Sequence, residues 1–259
     1  MPRKIARYGW IPDLPDQRDH LYAAPQGVLT SLPTQVDLRQ QCPPIFDQGR
    51  IGSCTANAIS GAFQFAEMKE QQAQAFMPSR LFIYYNERAM EGTVGQDSGA
   101  QIRDGIKTVA QQGVCPESEW TYDPSPFPPN PKLTQKPTDQ CYADAAQHTV
   151  KAYQRIVQNL TIMKGCLAAG YPFVLGFTVY ESFESPQVAQ TGQAPMPGPN
   201  EAVIGGHAVM AVGYDDAQQR FIVRNSWGTG WGMQGYFTMP YLYLSQPSLS
   251  SDFWTIRLV

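Results

Sequence analysis

The chain has 259 residues, with 19 Lys+Arg against 22 Asp+Glu and a formal net charge of −3. A balance this even excludes a general nucleic-acid or anionic-membrane binder, which carries a basic surplus. Hydrophobic residues at 42% against 16% charged exclude a disordered chain and predict a sizeable buried core, and the five cysteines, an odd count, leave at least one thiol without an internal partner.

Residues 1–31 carry Pro2, Pro12, Pro15 and Pro25 with no sustained period and read as an extended N-terminal segment. The positive start has no apolar stretch behind it, so no secretory signal peptide is visible. No run approaches the ~18 apolar residues of a membrane-spanning helix. The default location is the cytoplasm, with secretion left open should a leader have been removed. From Cys54 to Met68, apolar residues at spacings of three and four predict a buried helix with Cys54 at its start. Ser79–Met90 predicts a second helix capped by Ser79, and Ile102–Gln111 a third, stopped by Gly113. Pro116–Asp139 holds prolines at 116, 124, 126, 128, 129, 131 and 137 and predicts an irregular surface run between two lobes. Short β-rich runs follow at His148–Val157, Pro172–Tyr180, His207–Tyr214, Phe221–Asn225, Gly235–Met239 and Phe253–Leu258, with one helix near Thr161–Ala169 and an exposed loop at Gln187–Asn200. Helices first and strands after predict an α+β fold.

Chemistry concentrates in three places. In Asp47-Gln-Gly-Arg-Ile-Gly-Ser-Cys54, Ser53 leads into a thiol at a helix N-terminus, where the macrodipole favours the thiolate and free backbone N–H groups can face an anion. Gln48 adds a side-chain donor to that anion site. Taken alone, Cys54 reads more readily as a small core residue, as most free cysteines are. In Gly205-Gly206-His207-Ala208, the histidine opens an apolar strand after two glycines and suits a general base, or else a structural imidazole. In Asn225-Ser-Trp-Gly-Thr-Gly-Trp-Gly, the Asn225 oxygen can fix an imidazole tautomer under Trp227, or the segment is a glycine-rich turn with aromatic anchors. No C-x-x-C or H-x₃₋₅-H pair is present, so neither metal nor cofactor is expected.

The three segments in this order resemble the papain family of cysteine peptidases. His207 and Asn225 follow Cys54 by 153 and 171 residues, a slightly stretched version of the family interval of roughly 130–150. The resemblance runs from about residue 32, where Leu32-Pro-Thr-Gln-Val-Asp-Leu-Arg39 is similar to a mature start, to 259. It implies a two-lobe fold: a helical left lobe at about 45–125, an antiparallel β-barrel right lobe at about 140–259, and the active-site cleft between them. It also implies Cys54 as nucleophile, His207 as acid and base, Asn225 as its orienter with Trp227 shielding the contact, and Gln48 in the oxyanion site. Gly99 would pair with substrate backbone, with Ala100, Gly206 and Ala208 lining a specificity pocket beside Gln101. Two features depart from the family: Ile51 stands where a disulfide-forming cysteine is usual, and Thr55 where tryptophan is common. The helical propeptide signature is absent, and residues 1–31 are expected to lie across the cleft as a short inhibitory segment. The implied activity is endopeptidase hydrolysis of polypeptides by a monomer, open to peptidase inhibitors. A cysteine-dependent acyltransferase resembling transglutaminases and a catalytically silent binding protein are the alternatives. Cys42, Cys115, Cys141 and Cys166 remain as an even set with three connectivities.

Overall fold

The computed structural model describes residues 8–70, 75–128 and 130–258. Residues 1–7 of the leader and Pro129 of the proline-rich stretch lie outside them. The leader contributes β1 (Trp10–Ile11) and one helical turn, α1 (Gln26–Leu29); β2 (Gln35–Asp37) follows. Three helices come next, α2 (Cys54–Glu70), α3 (Arg80–Met90) and α4 (Ile102–Gln112), with the short β3 (Ala100–Gln101) leading into α4. The first turns of α2 are buried on every side, polar Thr55, Asn57 and Ser60 included, so it is a core helix and not an amphipathic surface one. Its small residues Ala56, Ala58, Gly61, Ala62 and Ala66 allow that close packing. Ser79 Oγ accepts from Phe82 N at 3.2 Å and starts α3, while Gly113, at φ +79°, ends α4 in a conformation that side chains resist.

The second half holds α5 (Asp139–Ala145), β4 (Ala152–Arg155), α6 (Leu160–Ala168), β5 (Phe173–Tyr180), α7 (Pro186–Thr191), β6 (Val203–Asp215), β7 (Arg220–Arg224), β8 (Tyr236–Pro240), α8 (Tyr241–Ser245) and β9 (Ser250–Arg257). The strands form one antiparallel sheet along the path β4-β9-β5-β6-β7-β8, with β2 paired to β6. The fold is α+β, as the order of helical and β-rich runs predicts. A single continuous hydrophobic core joins Ile59 and Phe63 of α2, Phe82 of α3 and Ile106 of α4 to Phe173 and Phe177 of β5 and Trp254 of β9.

Three local readings change. The run 187–200 opens as α7, not as loop: Ser185 Oγ accepts from Val188 N at 3.3 Å, Pro186 occupies the first turn, and Val188 is buried. The proline-rich run ends in α5, whose N-cap Thr138 accepts from Cys141 N at 3.3 Å. The strand expected over 148–157 is shortened to β4, because pairing with β9 runs only from Ala152 to Arg155.

Candidate active site

Cys54 is the first residue of α2 and is fully buried. His207 stands on β6 opposite Phe177 of β5, and Asn225 follows directly after β7. Because Met210 of β6 pairs with Arg224 of β7, the two strands bring His207 and Asn225 together, with His207 Nε2 2.8 Å from Asn225 Oδ1. Asn225 Oδ1 also accepts from Ser226 N at 2.8 Å, which fixes it as the acceptor. His207 therefore carries its proton on Nε2 and leaves Nδ1 as the basic nitrogen, buried with no hydrogen-bond partner among the described residues. Trp227 stacks on the imidazole, with centroids 5.0 Å apart and planes 29° from parallel, and closes the His207–Asn225 contact to water.

Gln48 is buried beside them. Its Oε1 accepts from Ser226 Oγ at 2.6 Å, its Nε2 donates to Ile51 O at 3.0 Å, and its backbone N donates to Ser226 O at 2.8 Å. Ser53 Oγ lies 2.6 Å from the Tyr122 hydroxyl and accepts from Asn57 Nδ2 at 3.0 Å. Ser226 and Tyr122 thus hold the loop that carries Gln48 and Ser53. Ser226 lies inside a segment the sequence singles out, but its tie to Gln48 spans 178 residues and has no local signature.

Residues of the leader fill the space in front of the thiol. Gly9 O accepts from Ala100 N at 2.8 Å, and β1 pairs in parallel with β3. A Cβ on Gly9 would come within 1.7 Å of Gly52 O, and one on Gly99 (φ +76°) within 2.1 Å of Gly9 O, so three glycine backbones touch where no side chain fits. The Tyr8 ring approaches His207 edge-on at 5.8 Å, and its hydroxyl donates to Glu184. Trp10 packs against Gly176 and Gly206, and its Nε1 donates to Asp252 Oδ2 at 3.1 Å. Asp13 N donates to the same oxygen at 2.8 Å, while the Asp13 carboxylate accepts from Arg103 N at 3.1 Å and Trp254 Nε1 at 2.8 Å. Gly99 and Ala100 meet Gly9, Gly206 meets Trp10, and the Ala208 backbone hydrogen-bonds the Cys54 sulfur. Asp252, a buried carboxylate at φ +60° on β9, also meets Trp10, and no pattern in the sequence marks it.

Electrostatics in this covered state reverse the expectation of a thiolate. Burial pushes the Cys54 thiol up to about 12, against the pull of backbone hydrogen bonds from Ala208 and Gly9. Burial likewise pulls His207 down to about 4, although the Asn225 bond favours its charged form. Desolvation outweighs the helix dipole here and favours the neutral thiol and the neutral imidazole.

Residues 32–244 match the family described as "Papain family cysteine protease". The chain is 44% identical to a peptidase C1-like protein, L477, of Acanthamoeba polyphaga mimivirus, over 97% of this chain and 87% of that one. It superposes on xylellain, a cysteine protease from Xylella fastidiosa, with a TM-score of 0.93 and 48% identity, covering 100% of this chain and 99% of the other. Digestive procathepsin L 3 of Tenebrio molitor shares the fold alone, at TM-score 0.71 and 18% identity over 93% of this chain and 75% of that one.

Proposed function

The chain belongs to the papain family of cysteine proteases, and from that premise we propose that it is an endopeptidase working through Cys54, His207 and Asn225 and held inactive by residues 8–13. The observation that carries the reading is the His207 Nε2–Asn225 Oδ1 bond under Trp227, which leaves Nδ1 as the free base on the residue next to Ala208, whose backbone hydrogen-bonds the helix-terminal Cys54 thiol. When the leader withdraws, water and substrate replace it, the desolvation that keeps both groups neutral falls, and the proton passes from Cys54 to His207 Nδ1. The Cys54 sulfur then bonds to the substrate carbonyl carbon. The oxyanion accepts from the Cys54 backbone N–H and from Gln48 Nε2. Collapse breaks the C–N bond, and His207 gives its proton to the departing amine. His207 next takes a proton from the water that hydrolyses the thioester. Gly99 and Ala100 offer backbone groups to the substrate, and Gly206 and Ala208 a shallow wall. The substrates are polypeptides, and thiol-directed epoxide inhibitors would label Cys54.

The test is a peptide-library cleavage profile of a variant lacking residues 1–13, beside the same variant carrying Cys54→Ala. Cleavage by the first and none by the second is expected. An inactive first variant that is folded by circular dichroism sinks the reading. Product analysis with an added amine separates hydrolysis from acyl transfer, which would yield the amide.

A further inference from the structure

Of the five cysteines, Cys54 lies in the site just described. Cys42 Sγ donates to Leu38 O at 3.4 Å, and Cys166 Sγ to Tyr171 O at 3.5 Å. Cys115 and Cys141 are different, because their thiols are neighbours, with Cys141 Sγ also accepting from Thr138 Oγ1 at 3.1 Å. Their sulfurs and a Glu119 carboxylate oxygen all lie within 4.8 Å of one another. The two residues stand at the two ends of the proline-rich excursion. Cys115 leaves α4 through a bridge in which its carbonyl accepts from Ser79 N at 2.9 Å, and Cys141 sits in the first turn of α5. Among the described residues between them, the regular structure is an isolated bridge at Pro116, a 3₁₀ turn at Pro131–Leu133 and the start of α5.

That excursion supports the loop carrying Gln48 and Ser53. Besides the Ser53 contact, the Tyr122 hydroxyl donates to Gln48 O at 3.0 Å, and Pro124 O accepts from Arg50 N at 3.1 Å. Glu117 pairs with Arg80 at 2.5 Å, and Ser79 Oγ donates to Trp120 O at 2.7 Å. Holding the neck of the excursion therefore holds the oxyanion side of the cleft.

We propose that Cys115 and Cys141 are a redox pair that closes to a disulfide on exchange with a small-molecule disulfide such as oxidised glutathione, locking the neck of the excursion. The Cys141 thiolate attacks one sulfur of the oxidant and releases one glutathione thiolate. The Cys115 thiolate then attacks Cys141 Sγ in the mixed disulfide and releases the second. Two protein thiols are oxidised, one glutathione disulfide is reduced to two glutathiones, and the two protons released by the protein thiols end on them. A side-chain rotation that brings adjacent sulfurs to bonding distance completes the bond. Burial pushes the Cys115 thiol up, and its Cys141 neighbour adds to this, so exchange is slow and waits on local opening of the neck. The same three side chains are one short of a closed structural zinc site, and no further Cys, His, Asp or Glu among the described residues joins them.

The proposal rests on the fold and not on the peptidase reading. Its test uses the full-length chain, equilibrated at pH 8 with graded mixtures of reduced and oxidised glutathione, quenched in acid, alkylated and mapped by mass. The expected product lacks two hydrogens, with the peptides of Cys115 and Cys141 linked and Cys42 and Cys166 alkylated. Whatever happens at Cys54 is read separately on its own peptide. Cys141→Ser abolishes the link. The oxidised chain unfolds about 5–10 °C above the reduced one, and dithiothreitol reverses the gain. Separate glutathione adducts on Cys115 and Cys141, a link to another cysteine, or unchanged thiols overturn the pairing. So does an equivalent of zinc retained on shielded thiols. A link without a rise in the unfolding midpoint overturns the locking role.

Discussion

Ser226 reaches Gln48 through its hydroxyl and Asn225 through its backbone N–H, so one residue orients both the proposed oxyanion donor and the proposed histidine partner. Gln48→Ala removes the donor and, in enzyme lacking residues 1–13, is expected to lower kcat by about 10²–10³ with KM little changed. Ser226→Ala leaves the amide in place and frees it to rotate, so about a tenfold loss is expected. Steady-state kinetics on one fluorogenic peptide checks both, and a larger loss at Ser226 than at Gln48 contradicts this order. At this scale Cys54, His207, Asn225 and Gln48 are legible because each sits in a short segment whose residue types imply chemistry. Asp252 is not. Its role exists only because β9 lies beside β5 and turns that carboxylate toward a tryptophan 242 residues earlier in the chain.

The leader behaves as an element with two anchors, Tyr8 on Glu184 and the Trp10–Asp13 unit on Asp252, with Gly9 between them. A side chain at Gly9 has no room against Gly52 O, so Gly9→Val should unseat the segment. The rate of Cys54 alkylation by iodoacetamide is expected to rise at least about tenfold, and an unchanged rate would remove the covering role. The second anchor is pH-sensitive. Burial, with the Asp252 charge beside it, pushes Asp13 from 3.8 up to about 7, and Asp252 is raised as well by burial. The seated leader therefore binds more protons than the free one. Seating is strongest below the ordinary carboxylate range and weakens as pH rises from about 4 to 7. Hydrogen-exchange protection of the Trp10 and Asp13 amides should fall between about pH 4 and 7, and in Asp13→Asn the fall should largely vanish. Elements were legible where periodicity was long, as in α2, α3 and α4. They were obscured where composition misled: the Gln and Pro around Val188 read as loop, although Ser185-Pro186 is a helix start and Val188 buries one apolar side chain.

For the molecule as a whole, α2 is a spine that packs on α3 and α4 on one side and on β6 and β9 on the other. Ile59, fully buried in it, faces Gly105 of α4, in the continuous core that the helical and β portions share. Ile59→Ala should cost about 2–5 kcal/mol and lower the unfolding transition of both portions together, seen as coincident far-ultraviolet and tryptophan-fluorescence melts. Two separated transitions would mean the portions unfold independently. The α+β order was readable because helical and strand periods occupy different halves. The insertion of β2 into the sheet was not, since three residues carry too little pattern to predict pairing with a strand more than 170 positions away. Finally, Gly9 turns its N–H toward the Cys54 sulfur and its carbonyl toward Ala100 N. The nucleophile faces a donor where a substrate would offer carbon, so a molecule cannot readily clear its own cleft at that bond. On the proposed zymogen reading, cleavage there is then a reaction between two molecules, and its time course should show a lag that shortens as protein concentration rises.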